Sequence, residues 1–366
     1  IQVGMTDAEV CEDPEGRWRE ILSGVDQPTE HTAAWTHVMP PWLNEEKFRR
    51  GQKFGQVNHA GVFICNFIML LNFMRLSRLR KPLLYAGNID TPILAHKRFF
   101  KTIFILLTWY DGNVWDAEDS SRKNLELVKK LHNHYSIKTN RAKTLVDRLS
   151  AVQSREGDPD TCVRTQCPMA EIWGREGDNP YFSQFDMAMT QYSFCGFLLA
   201  HPEKFGVHGA SREDLEDFMH FWRGIGHLLG IKDKFNLCTG NYDTVMSLCN
   251  SIETHYVRPA FVDIDRDTMT IQKVIIEGMR MEFKFFSYEP MMHYTSAHVL
   301  KMDPIKELRP KKFLDWIYFF FLYIIFNIFF RISSFREVFN EQMVFRTRKV
   351  YFEHRSKFQN SGMVFP

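Results

Sequence analysis

Thr91-Pro92-Ile-Leu-Ala-His-Lys-Arg98-Phe-Phe-Lys101-Thr102-Ile-Phe-Ile-Leu-Leu-Thr-Trp109-Tyr-Asp111-Gly112 reads as a single helix. Thr91 supplies an N-cap hydroxyl, and Pro92 takes the first helical position, where a missing N–H costs nothing. Asp111-Gly112 is a turn signal that closes it. Phe99, Phe100, Ile103, Phe104, Ile105, Leu106 and Leu107 leave no broad polar face, so burial on most sides is expected. Against that background Arg98, Lys101 and Thr102 fall at i, i+3 and i+4, on one stripe. Two cations facing one way from an apolar helix need an anionic or strongly accepting partner, unless they snorkel to water from a half-exposed helix.

The next helical run holds Leu125 to Tyr135. At 100° per residue, Leu125, Val128, Leu131, His132 and Tyr135 share one arc of little more than a third of a turn. His134 lies at its edge. A histidine on an apolar face is either a satisfied core residue or a ligand. Following a helix that gathers Arg, Lys and Thr, the set suits a haem: imidazole to the iron, cations to the propionates or the open iron face.

Arg98-x-x-Lys101-Thr102 is followed by His132 at 132 − 102 = 30 positions. This arrangement resembles the family of rubber oxygenases (latex clearing proteins) and ER-bound oxygenases of the mpaB type. These are all-α, b-type haem proteins with R-x-x-K-T on one helix and the axial histidine further on. Three more runs are similar: W-x(4)-K-F-x-x-G-Q from Trp42, Q-x-D-M-x-x-T-Q-x-x-F-x-G from Gln184, and Phe221-Trp222-Arg223-Gly-Ile-Gly-His-Leu-Leu-Gly230-Ile231. The resemblance implies haem b, with His132 as proximal iron ligand, Lys101 on the distal side, and Arg98 and Thr102 shaping the pocket. Lys101, Arg98 and Thr102 are thus the catalytic candidates, and His132, Arg98 and Lys101 the cofactor-binding ones. It further implies an oxygenase that takes O2 and an apolar, isoprenoid or lipid-like substrate. A non-catalytic haem- or lipid-binding membrane protein of the same fold is the alternative. One departure concerns the acid that some members use as a base upstream of R-x-x-K-T. Pro82-Leu-Leu-Tyr-Ala-Gly stands there, with Asp90 only later.

The chain has 366 residues, 45% of them apolar and 33 of them phenylalanine, enough for a real core. A net charge of +2, with no basic block interleaved with aromatics, gives no reason to expect nucleic acid. Seven cysteines make no disulfide framework, and Cys162 and Cys167 lack the second pair a zinc site needs. A reducing or membrane-facing setting is the better match. No signal peptide is visible in Ile1–Gly51.

Residues 1–41 read as an arm, and a globular domain is expected over 42–305. Gly51 could end a short first helix. Val62–Met74 is apolar but too short to span a bilayer, so a core helix is expected. The cluster Arg75–Lys81 reads as a solvated helix end or a contact for anionic lipid. Lys138–Val152 reads as another amphipathic helix, Ser154–Pro168 as a loop and Met169–Trp173 as one helical turn. Gln184 to Phe197 should pack as a helix, Phe194 and Phe197 in the core. Ser211-Arg-Glu-Asp214 has the capping-box form, and Gly224 and Gly226 mark close approach inside the helix that follows. His220 and His227 are rival ligands. Asp217-x-x-His220 has di-iron spacing but lacks its second copy.

Phe313–Phe330 is an 18-residue apolar run between Lys311-Lys312 and Arg331. As a helix it rises about 27 Å, enough to cross a thin bilayer, with a buried or in-plane helix as the other reading. Residues 331–366 read as a basic tail. The expected fold is all-α: a single helical haem-binding bundle followed by a C-terminal membrane helix. Membrane lipids are the expected partner, in the endoplasmic reticulum or another internal membrane.

Overall fold

The computed structural model describes residues 14–29, 39–153, 179–262 and 266–360. Among them every named element is helical, and extended backbone pairs at one isolated bridge, Pro28 with Ser183. In chain order the helices are α1 (Pro14–Leu22), α2 (Glu45–Val57), α3 (His59–Phe73), α4 (Ser77–Tyr85), α5 (Pro92–Asp111), α6 (Ser120–Gln153) and α7 (Gln184–Gln191). A π-helical turn, Tyr192–Gly196, joins α7 to α8 (Phe197–Ala200). Then come α9 (Arg212–Leu228), α10 (Tyr242–Ile252), α11 (Arg258–Val262), α12 (Arg266–Met279), α13 (Tyr288–His293), α14 (Phe313–Asn327) and α15 (Ser333–Asn360). Most of the arm's first 38 residues, the Ser154–Pro168 loop, the Met169–Trp173 turn, and Cys162 and Cys167 lie outside the described residues.

α5 is the central rod, flanked by α2, α6, α12 and α15. Its start is as the sequence predicts: Thr91 Oγ1 accepts from the Leu94 N–H at 3.4 Å, with Pro92 in the first turn. Its end is held from outside, because Gln52 Nε2 of α2 donates to the Trp109 and Gly112 carbonyls, each at 2.7 Å. α2 does not stop at Gly51. There the chain needs a residue without a side chain, since a Cβ would sit 2.1 Å from the Asp217 carbonyl oxygen of α9. α6 is one helix of 34 residues rather than two, as no Gly or Pro interrupts Ser120–Gln153.

α9 opens with the Ser211–Asp214 capping box and is followed by Gly230 at φ +93°. The basic cluster after α3 is corrected by the structure. Arg75 and Arg78 are buried, Arg75 donating to the Tyr288 hydroxyl at 3.1 Å and Arg78 pairing with Asp186. Distant acceptors outbid water here, which local sequence could not show. Where the sequence reads as a basic tail after residue 331, Ser333–Asn360 form the long helix α15, whose Met343, Thr347 and Val350 are buried where it packs on α3 and α5. Phe313–Arg331, 19 residues of mean hydropathy 1.9, is long and apolar enough to cross a bilayer, by length and composition alone.

Candidate functional site

Leu94, Arg98, Lys101, Thr102, Ile105 and Trp109 recur along α5 at three- and four-residue spacing, and all six line one cavity of about 380 Å³. That size is within the range of small-molecule and cofactor sites. α6 supplies Val128, Leu131, His132 and Tyr135 to the same wall. α3 and α4 add Asn66, Leu70, Leu79 and Leu83; α9 adds Trp222, Ile225 and Gly226. Most of these groups are apolar. Arg98, Lys101, Thr102 and His132, singled out from the sequence, thus meet on one cavity.

Burial, then the charge of Arg98, pushes the His132 imidazole down to about 4. At neutral pH the ring is therefore uncharged, the form in which a nitrogen lone pair is available. Burial lowers the Arg98 guanidinium, with Tyr135 pulling the other way, yet arginine stays charged. Among the described residues no hydrogen bond or ion pair reaches Arg98, so its charge is directed at the cavity. Burial followed by the Arg98 charge also pulls the Lys101 ammonium down. The His132 ring lies 5.7 Å from that of Phe182, a cavity residue whose φ of 60° is strained for a bulky side chain. The sequence has no signal for Phe182.

Asp186 is the carboxylate on the cavity wall, and it is occupied. Arg78 Nε and a terminal nitrogen donate to it at 2.6 and 3.0 Å, and the Ser183 N–H at 2.9 Å. The two partners are 108 residues apart, so no local pattern could have paired them. Asp90 is exposed and does not line the cavity.

The helix after Asn179-Pro180 lines the cavity with Asp186, Met187, Thr190 and Gln191 of α7 and with Ser193 and Phe194 of the π-helical turn; Phe194, expected in the core, is half-buried at the wall, while Phe197 does pack in the core. Phe194 stacks on Trp222 at 5.7 Å and 14°. Gly226 serves this contact region: a Cβ there would lie 2.6 Å from Gln191 Nε2. Gln191 in turn donates to the Trp222 carbonyl at 2.8 Å and accepts from the Leu237 N–H at 2.9 Å. Gly224 instead makes room for Phe48 of α2.

The rival histidines lie elsewhere. His220 Nε2 accepts from the Asn44 N–H at 2.9 Å, and His220 and His227 both pack edge-on to Trp42. Asp217 is held by Arg50 at 2.5 and 3.0 Å. Among the described residues no three His, Cys, Asp or Glu groups are placed to hold a metal ion.

No protein-family model matches the chain, and no curated protein matches it. A solved structure of a latex clearing protein in its closed state matches over 96% of this chain and 92% of that one, at 15% identity and a TM-score of 0.46. The likeness is distant and transfers no residue role.

Proposed function

We propose that this chain binds haem b in the α5–α6 cavity and acts as an oxygenase on an apolar, isoprenoid or lipid-like substrate. The observation behind the reading is the meeting of Arg98, Lys101, Thr102 and His132 on one largely apolar cavity. His132 would ligate the iron through a ring nitrogen, its burial keeping it neutral and competent. Arg98 would meet a propionate, giving a half-buried cation its counter-ion. Bound haem supplies the binding and activation of O2. Lys101 would donate a hydrogen bond into the cavity, and Thr102, one residue on, would shape the wall beside it. Apolar groups from α3, α4 and α9 would hold the substrate by burial. Membrane lipids as partners, in the endoplasmic reticulum or another internal membrane, belong to the same proposal; the exposed apolar side of α14 supports it.

One observation favours a second reading, a haem- or lipid-binding protein without turnover. Asp186 is committed to Arg78, so among the described residues the cavity offers no free carboxylate to take a proton from substrate. A UV–visible spectrum of the detergent-purified protein, loaded with haem, tests the site. A Soret band that His132→Ala abolishes is expected; its absence from folded wild-type protein would end the haem reading. Oxygen uptake with a panel of isoprenoids then separates the two readings. Uptake that Lys101→Ala removes supports the oxygenase, and a haem-loaded protein inert to every isoprenoid leaves the binding protein.

A further inference from the structure

α14 is an inverted amphipathic helix. At 100° per residue Phe313, Ile317, Phe320, Phe321 and Ile324 fall within an arc of about 100°, and all five are exposed, Phe313 at 82%. The opposite arc, Asp315, Leu322, Ile325 and Phe326, is buried against the protein body. The polar residues of the helix are turned inward. The Ser287 hydroxyl donates to Asp315 Oδ1 at 3.3 Å, and Asn327 pairs with His298 at 3.2 Å and donates to the Tyr294 hydroxyl at 3.4 Å. A helix facing water shows the reverse order, so the outer surface is built for hydrocarbon.

The same contacts tell how it would meet a bilayer. One end is tied to the body through Asp315 and the other through Asn327, and His208 Nε2 reaches the Phe326 carbonyl at 2.6 Å. α14 therefore lies flat along the body. Were it to cross a membrane, the protein body that is tied to it at both Asp315 and Asn327 would have to cross the hydrocarbon with it. Cations gather at both ends. Lys306, Arg309, Lys311 and Lys312 are exposed before it and Arg331 after it, and from Lys301 to Lys312 five cations face two carboxylates.

We propose that α14 is a monotopic anchor, lying in the plane of an anionic membrane surface with its aromatic face among the acyl chains and its basic ends on the headgroups. None of its residues lines the α5–α6 cavity, so the anchor is separate from the candidate site and stands whether or not haem binds there.

The test adds full-length protein to sealed vesicles of phosphatidylcholine alone or with about one third phosphatidylserine. Sedimentation with the anionic vesicles and at least tenfold weaker binding to the neutral ones are expected. Reversing Lys311, Lys312 and Arg331 to Glu should weaken the anionic binding by roughly a hundredfold or more, and Phe320→Ser with Ile324→Ser should do so by roughly tenfold or more. All five are exposed, so the fold survives, as unchanged circular dichroism would verify. Orientation is read with Arg331→Lys and a membrane-impermeant amine reagent. An in-plane helix leaves Lys312 and the new amine labelled from outside alike. Protection of one end would show a spanning helix, and equal binding to both vesicle types, or a soluble dimer that covers the face instead, would equally overturn the proposal.

Discussion

Replacing Arg78 by methionine keeps most of the stem's volume and removes the guanidinium that joins α4 to the start of α7. Arg78 and Asp186 are each 5% exposed, so the abandoned carboxylate keeps mainly the Ser183 N–H, at 2.9 Å. Breaking a buried pair from one side costs about 3–5 kcal/mol. Arg78 also donates to the carbonyls of Val25 and Pro180, which argues for the upper part of that range. At roughly 2 °C per kcal/mol for a chain of this size, the melting midpoint should fall by about 6–10 °C. The cost should depend on pH. Burial already holds the Asp186 carboxyl above its usual range, against the pull of Arg78, and losing Arg78 raises it further. A folded-state value above the unfolded one of about 3.9 means the contribution is intact below that pH and is lost as pH rises through the folded value. Arg78→Met should therefore be least damaging near pH 4 and worst near neutrality, measured by circular dichroism melts across that window. Adding Asp186→Asn should recover about half of the loss or more and flatten its pH dependence. A single variant that costs under about 1 kcal/mol, or a double variant as unstable as the sum of its parts, would refute the buried-pair account.

Other perturbations have signs that the structure sets. Gly51→Ala, which in an open helix would stabilise by about 1 kcal/mol, should instead destabilise by about 2 kcal/mol, because α2 and α9 must part to admit the methyl; chemical denaturation reads the sign. Arg98→Gln should leave the haem-free protein as stable or more so, by removing a half-buried, desolvated charge without a partner among the described residues. In a haem titration the same variant should bind about tenfold or more weakly, through loss of a charge-assisted contact; unaltered affinity would show that no propionate meets Arg98. Ser211→Ala should cost about 1 kcal/mol, as it removes the hydroxyl that accepts from the Asp214 N–H at 3.1 Å.

Much of the fold and part of the site could be read along the chain, because both follow from spacing within single helices. The Thr91 cap, the Ser211 capping box and the apolar run of α5 specify their helices locally. The three-and-four spacing that puts Arg98, Lys101 and Thr102 on one stripe is a property of the helix itself, as is the position of His132 on the apolar arc of α6. That these two stripes face one cavity is a matter of how α5 packs on α6, and periodicity has nothing to say about which stripes meet.

The remainder was decided in three dimensions. Arg75 and Arg78 carry the local pattern of a solvated helix end, yet they are buried, because Tyr288 and Asp186 arrive from elsewhere in the chain to accept their hydrogen bonds. Gly51 has the local look of a helix stop, yet it is where two helices touch. Phe313–Phe330 is apolar as a sequence but for Asp315 and Asn327, and only its packing separates an inward arc from an outward one. By itself the sequence determined most of the helices and what each face carries, since a side chain's direction repeats with the backbone. Only the tertiary structure decided which faces are satisfied by protein and which are left for a cofactor or a membrane, since partners for buried charges and apolar surfaces come from residues a hundred or more positions away.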